Sequence, residues 1–323
     1  MSPFRALIAG VSAVLRAPLL VTLVTVVTVG AAIPFALALG TELRESLSNQ
    51  PPISLDATEI DAEWWLEFRA HARGLARTFT PAIIGFAAPL DNLSAILDGT
   101  RRPLALVAPV VLFAATWSFL LGGLLTRFAR GTKATGREFL AACRRHFVAF
   151  AGISLAAAGA VLLLYVTVHP LLFGAVYPAL SAQAATEQAA FFWRVALYIV
   201  FGGLLVGISL VADYARISLV SERVAGLRQA AIAGARFVWG QPSAVISLYL
   251  LAGTLFVLLL AVYGMADRRL GGWRAVAGGQ AYIVARIVLR LAGAAAEIKL
   301  YQSRHAAQIV SRADVNPGPP AAT

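Results

Sequence analysis

Arg286, Arg290, Gly293 and Glu297 follow one another at spacings of 4, 3 and 4, which places them on one face of a helix. Asp213 and Arg216 form a second acid and base pair earlier in the chain. Both sets sit in strongly apolar surroundings, where an ionisable group is costly and turns toward protein or water rather than lipid. Such a constellation suits two kinds of chemistry. It can bind an anionic headgroup or solute, with Arg286 as the deepest cation, or it can clamp two helices together by ion pairs. At about 1.5 Å per residue, Asp213 and Arg290 lie about 8 and 12 Å above the inner ends of their apolar runs. The expected pairs are therefore Asp213 with Arg290 and Arg216 with Glu297. Gly203 and Gly207 on one helix, and Ala292 and Ala296 on the other, are small enough to let the two backbones approach closely.

Catalytic signatures are missing from the sequence. It has no HExxH for a zinc protease, no Walker A for nucleotide phosphates and no GxSxG elbow. Asp98-Gly99-Thr100-Arg101 and Asp213-Tyr214-Ala215-Arg216 match only the start of a CDP-alcohol phosphotransferase motif, without its later Gly and paired Asp residues. His71, His146, His169 and His305 are scattered, with no carboxylate at ligand spacing, and the single Cys143 cannot form an internal disulfide. The expectation is a non-enzyme without metal or cofactor.

Composition says what must position the charged residues. Of 323 residues, 59% are hydrophobic and only 13% charged, against about 45–50% and about 25% in soluble domains. A soluble globule is excluded, and the 17 Phe, 8 Tyr and 6 Trp exclude a low-complexity polymer. A net charge of +11 would suggest nucleic acid in a soluble chain. Here the basic residues fall between apolar runs, so cytoplasmic loops beside anionic lipid account for them better.

Six windows reach the roughly 20 residues needed to cross a bilayer: 17–39, 103–126, 147–168, 195–218, 243–264 and 277–298. The last, with Arg286 and Arg290 inside it, is the weakest. Short loops carry 6 and 4 Lys or Arg on one side and 1 and 3 on the other, which places both termini in the cytoplasm. Nine of the sixteen acidic residues lie in the long outer loop 40–102. Ala36-Leu37-Ala38 reads like a signal-peptide cleavage site, but the apolar run before it exceeds the usual 7–15 residues.

A unit repeats three times. Segments 4–16, 137–150 and 224–239 each read as a basic amphipathic helix running into a span. The later exits match as Arg127-Phe128-Ala129-Arg130 and Asp213-Tyr214-Ala215-Arg216, with Glu297-Ile298-Lys299-Leu300 as a weaker echo. The units are about 1–130, 131–220 and 221–305, in parallel orientation, followed by a disordered cytoplasmic tail over 306–323. The amphipathic helices should lie flat on the cytoplasmic surface, with apolar faces in the headgroup boundary and arginines toward phosphates.

Loop 40–102 is too long to be structureless. Asp56 and Glu59 read as a capping box, and Trp64, Phe68, Leu75 and Phe79 as one helical face ended by Pro81. Residues 81–98, broken by Pro89, read as an interfacial or re-entrant pair over the outer mouth, with Trp64 and Trp65 at headgroup level.

The three-unit plan, the Phe/Tyr-Ala-Arg exits and the helix leading to Arg236-Phe237-Val238 resemble bacterial membrane proteins grouped around the glycerophosphoryl diester phosphodiesterase membrane domain. More narrowly, the chain, especially Asp91-Asn92-Leu93-Ser94 and 163–180, is similar to hypothetical proteins of acidobacterial type. The resemblance implies a six-helix inner-membrane protein of undefined activity, and it carries no phosphodiesterase activity over because that catalytic domain is missing.

These readings predict an all-α polytopic protein of the inner membrane, with its membrane domain over 1–305 and a helical lid at 40–102. Its candidate polar site is Asp213, Arg216, Arg286, Arg290 and Glu297, handling a lipid or small anionic solute. The alternative is a non-catalytic scaffold holding a protein partner. Anionic lipid headgroups are expected at the basic helices, and no nucleic acid.

Overall fold

The computed structural model describes residues 1–48, 62–79, 87–100, 102–131, 135–222, 226–267 and 272–315. The elements are α1 (Pro3–Leu15), α2 (Pro18–Ser48), α3 (Ala62–His71), α4 (Ala87–Leu97), α5 (Val107–Arg130), α6 (Gly136–His169), α7 (Tyr177–Ala182), α8 (Glu187–Ser221), α9 (Leu227–Gly240), α10 (Pro242–Asp267) and α11 (Trp273–Val315). Local sequence sets many of their ends. Ser2 caps α1 by accepting from the Arg5 amide, with Pro3 just inside. Thr135 and Glu138 form a reciprocal capping box on α6. Gly131, at φ 67°, closes α5. Pro170 lacks an N–H, and the ladder widens into a π-helical stretch over Pro170–Val176 that joins α6 to α7.

Among the described residues, five helices are long and apolar enough to cross a membrane: Pro18–Ser46, Leu104–Arg130, Gly136–Ala182, Glu187–Ser221 and Pro242–Ala266. The sixth window, 277–298, is helical throughout inside α11, but α11 is not one of these five. α11 nevertheless holds the centre of the bundle. Leu291, Ala292, Ala295, Ala296 and Ile298 are fully buried, and the helix touches α1, α10, α5, α8 and α2. A helix carrying polar groups along one side gains most by turning its apolar sides into neighbouring helices. α11 also continues through Val315, past residue 305 where the sequence reading ends the membrane domain and begins a tail.

The amphipathic segments differ from their expected pose. α1 does not rest its whole apolar face on headgroups: Ala6, Leu7, Gly10 and Val14 are buried, the first two in a cluster with Ala244, Leu248, Ala296 and Leu300. Phe4, Ile8 and Leu15 remain exposed on its other side. Segment 137–150 is not a separate helix but the first turns of α6. Each segment makes a backbone-close crossing. A Cβ on Gly10 of α1 would come within 2.4 Å of the Ala292 carbonyl oxygen of α11. One on Gly234 of α9 would come within 2.6 Å of the Ala215 nitrogen of α8, and one on Gly122 of α5 within 3.0 Å of the Ala142 carbonyl oxygen of α6. Phe128, Tyr214 and Ile298, the second residues of the three matching exits, are all buried. Gly203 and Gly207, by contrast, have open space where a Cβ would stand. The expected approach through them is absent, and Ala292 and Ala296 serve α1 instead of α8.

After α2, the expected single helix through Trp64 and Phe79 stops at His71. Gly74, at φ 53°, turns the chain, and a 3₁₀ turn over Ala76–Thr78 brings Phe79 back to 5.8 Å from Phe68. Trp64, Phe68 and Ala76 form a small buried cluster against Leu39 and Leu43 of α2, with Ala76 rather than Leu75 completing it. Pro89 lies in the first turn of α4, where its missing N–H costs nothing, so it starts that helix instead of breaking one. Asp56 and Glu59 lie outside the described residues.

Candidate functional site

All five residues singled out in the sequence line one cavity of about 490 Å³, walled by α5, α8, α10 and α11. α8 contributes Asp213 and Arg216, one turn apart. α11 contributes Arg286, Arg290 and Glu297 along its inward face, and Trp117, Leu121 and Phe256 supply apolar wall.

The pairing differs from the expected one. Asp213 is held within its own helix: Arg216 Nη1 donates to Asp213 Oδ1 at 2.6 Å. Positions i and i+3 already share a face, so this bond needs no reach across the bundle. The second carboxylate oxygen accepts from the Tyr249 hydroxyl of α10 at 2.5 Å. Arg216 Nη2 donates onward to Ser154 Oγ of α6 at 3.1 Å, and Ser154 lies 3.0 Å from Ser118 Oγ of α5. A polar chain thus ties α10, α8, α6 and α5, and leaves Asp213 with two donors in surroundings that would penalise a bare carboxylate.

Arg290 and Arg286 are satisfied differently. The Arg290 guanidinium carbon lies 3.7 Å from the Trp117 ring centroid and 5.3 Å from that of Phe113. Arg286 lies 5.6 Å from Phe256 and 5.5 Å from Tyr282. Neither makes an ion pair among the described residues, and both line the cavity. Aromatic faces hold a cation without neutralising it. With three arginines against Asp213 and Glu297, and Asp213 already paired, the cavity presents a formal excess of positive charge.

Tyr249, Ser154, Ser118 and Trp117 escape the sequence reading. The available signal is a hydroxyl or indole in the middle of an apolar run, and that signal is weak because such residues often bond their own helix. Ser154 does so as well, donating to the Phe150 carbonyl at 2.9 Å. Among the described residues no group of three or more His, Cys, Asp or Glu could hold a metal.

A second feature lies at α4, which is fastened by its C-terminal end. Tyr165 donates to the Ile96 carbonyl at 2.6 Å and His169 Nε2 to the Leu97 carbonyl at 3.1 Å, capping carbonyls that the end of a helix leaves open. Asp98 accepts from Tyr198, from Ser94 at 3.0 Å and from Arg194 at 3.3 Å. Donation by Tyr198, with smaller help from Ser94 and Arg194, holds the Asp98 carboxyl below its ordinary value of 3.8. His169, scattered and partnerless in the sequence, is thus an anchor for α4.

No protein-family model, curated protein or solved structure matches the chain, and the site stands on its own geometry.

Proposed function

We propose that this chain is a six-span, non-catalytic protein of the bacterial inner membrane that handles a lipid or small anionic solute at Arg286 and Arg290. The observation that carries the reading is the pair of cavity-facing arginines, stacked on aromatic rings with no direct ion pair among the described residues, beside an aspartate already matched to Arg216. A cation deep in a span is costly, and a leucine would serve packing better. Retaining two such cations is explained by a ligand that supplies the missing negative charge.

Placing α11 as the sixth span is supported by its packing along α10, α5 and α8, and it puts both termini on the side where the short-loop arginines lie. The three glycine-lined crossings support reading the chain as three parallel units. The proposal assigns no catalysis, because the sequence holds no catalytic signature. Native mass spectrometry of the detergent-purified protein tests it. Wild type retains anionic lipid or solute, and Arg286→Leu and Arg290→Gln lose it while keeping wild-type helicity. Wild type with no anion retained, or variants that retain it fully, favours a scaffold and overturns the proposal.

A further inference from the structure

The polar cavity does not end at Arg286. Tyr249, Gly253, Phe256 and Arg286 also line a second chamber of about 1010 Å³, which extends to the outer helix α4. Its walls are mostly apolar, with Leu90, Leu93 and Ile96 from α4, Val257 and Leu260 from α10, and Ile283 from α11. The three α4 residues recur at every third position and so share one face. Each is about half exposed, at 50%, 52% and 48%. The helix is nevertheless held firmly by Tyr165, His169, Tyr198 and Arg194 at its C-terminal end, and Arg102 reaches Asp91 at 2.9 Å. The protein therefore fixes a helix over a cavity and leaves that helix's apolar row uncovered.

We infer that the ligand is an anionic amphiphile, its phosphate or carboxylate head between Arg286 and Arg290 and its hydrocarbon chain in the chamber beneath α4. This deepens the proposed function and rests on it. A small solute would occupy only the polar cavity and leave the larger apolar chamber without an occupant. A neutral lipid would fill the chamber and leave the arginines unmatched. Only a molecule with both parts answers both halves, and the halves meet at Arg286, whose guanidinium is flanked by the rings of Phe256 and Tyr282. The hydrocarbon chain comes from a bilayer as apolar as the chamber itself, so the chain contributes fit within the chamber and the head supplies the selectivity.

The test uses the full chain in nanodiscs made of equal parts dioleoylphosphatidylcholine and dioleoylphosphatidylglycerol, with release into native mass spectrometry. Glycerol 3-phosphate serves as the head without a chain. The expected result is retained phosphatidylglycerol that glycerol 3-phosphate does not displace. Leu93→Trp, which fills the chamber, lowers that retention at least tenfold but leaves glycerol 3-phosphate binding unchanged, while Arg290→Gln lowers both. Glycerol 3-phosphate binding as tightly as the lipid, or lipid retention unaffected by Leu93→Trp, overturns the amphiphile and leaves an anion site. Equal retention of phosphatidylcholine shows bulk lipid filling and also overturns it. If neither anionic probe is held, the proposed function falls with it.

Discussion

Gly10 joins α1 to the central helix, and adding a single methyl there should undo the joint. In the native crossing a Cβ at Gly10 would stand 2.4 Å from the Ala292 carbonyl oxygen, 2.8 Å from the Ala296 nitrogen and 3.0 Å from the Ala296 Cβ. The first two are backbone atoms of α11 and cannot rotate aside. Restoring an ordinary contact of about 3.5 Å moves α1 outward by roughly 1 Å, and a gap of that size forfeits a quarter to a half of the dispersion energy at each lining contact. The contacts at stake are those of Ala6, Leu7 and Val14 of α1 with the buried faces of α10 and α11. Overpacking of this kind costs about 1–3 kcal/mol, while replacing a mid-helix glycine by alanine returns about 0.5–1 kcal/mol. Gly207→Ala is the internal control, because nothing lies within 4 Å of its Cβ position and only the propensity gain operates. The two alanine variants should therefore differ by about 1–3 kcal/mol, with Gly10→Ala below wild type and Gly207→Ala at or above it. Thermal unfolding followed by helical circular dichroism in one detergent measures both. Gly10→Ala melting as high as Gly207→Ala would refute the close crossing of α1 on α11.

Three further outcomes follow from particular contacts. Asp213→Ala destabilises by leaving the half-buried Arg216 unmatched, and Asp213→Ala with Arg216→Ala loses less than the sum, with a coupling of about 0.5–3 kcal/mol; additive losses in detergent melting would remove the pair, and rescue by Arg290→Ala instead would restore the originally expected pairing. Because Asp98 is held below its ordinary 3.8, its contribution to holding α4 is complete above that value and is lost as pH falls through the lowered one. Hydrogen exchange of the α4 amides, corrected for intrinsic rates, should thus be flat from pH 8 to pH 5, and Asp98→Asn should raise it across that range; a transition near neutral pH would contradict the assignment. Cys143 is fully buried and gives no background, so Ser48→Cys should react with an impermeant thiol probe added outside intact cells; reaction only after permeabilisation would invert the topology.

Composition and charge spacing alone determined that the chain is a bundle of apolar helices, because backbone groups in lipid must bond within their own segment. They also picked out Asp213, Arg216, Arg286, Arg290 and Glu297, since an ionisable group among apolar neighbours stands out whatever the tertiary arrangement. Who pairs with whom was not legible. Asp213 takes Arg216 from its own helix and Tyr249 from α10, and Arg290 takes the face of Trp117, because helix rotation and crossing angle decide which side chains meet. Ala292 and Ala296 were recognisable as a close-packing surface, but their partner is Gly10 of α1, not Gly203 or Gly207. Small residues permit an approach and say nothing about what approaches. The chamber beneath α4 is the extreme case. It is made by three segments far apart in the chain, and hydrogen bonds from Tyr165 and His169 to the end of α4, with Tyr198 and Arg194 on Asp98, set that helix over it.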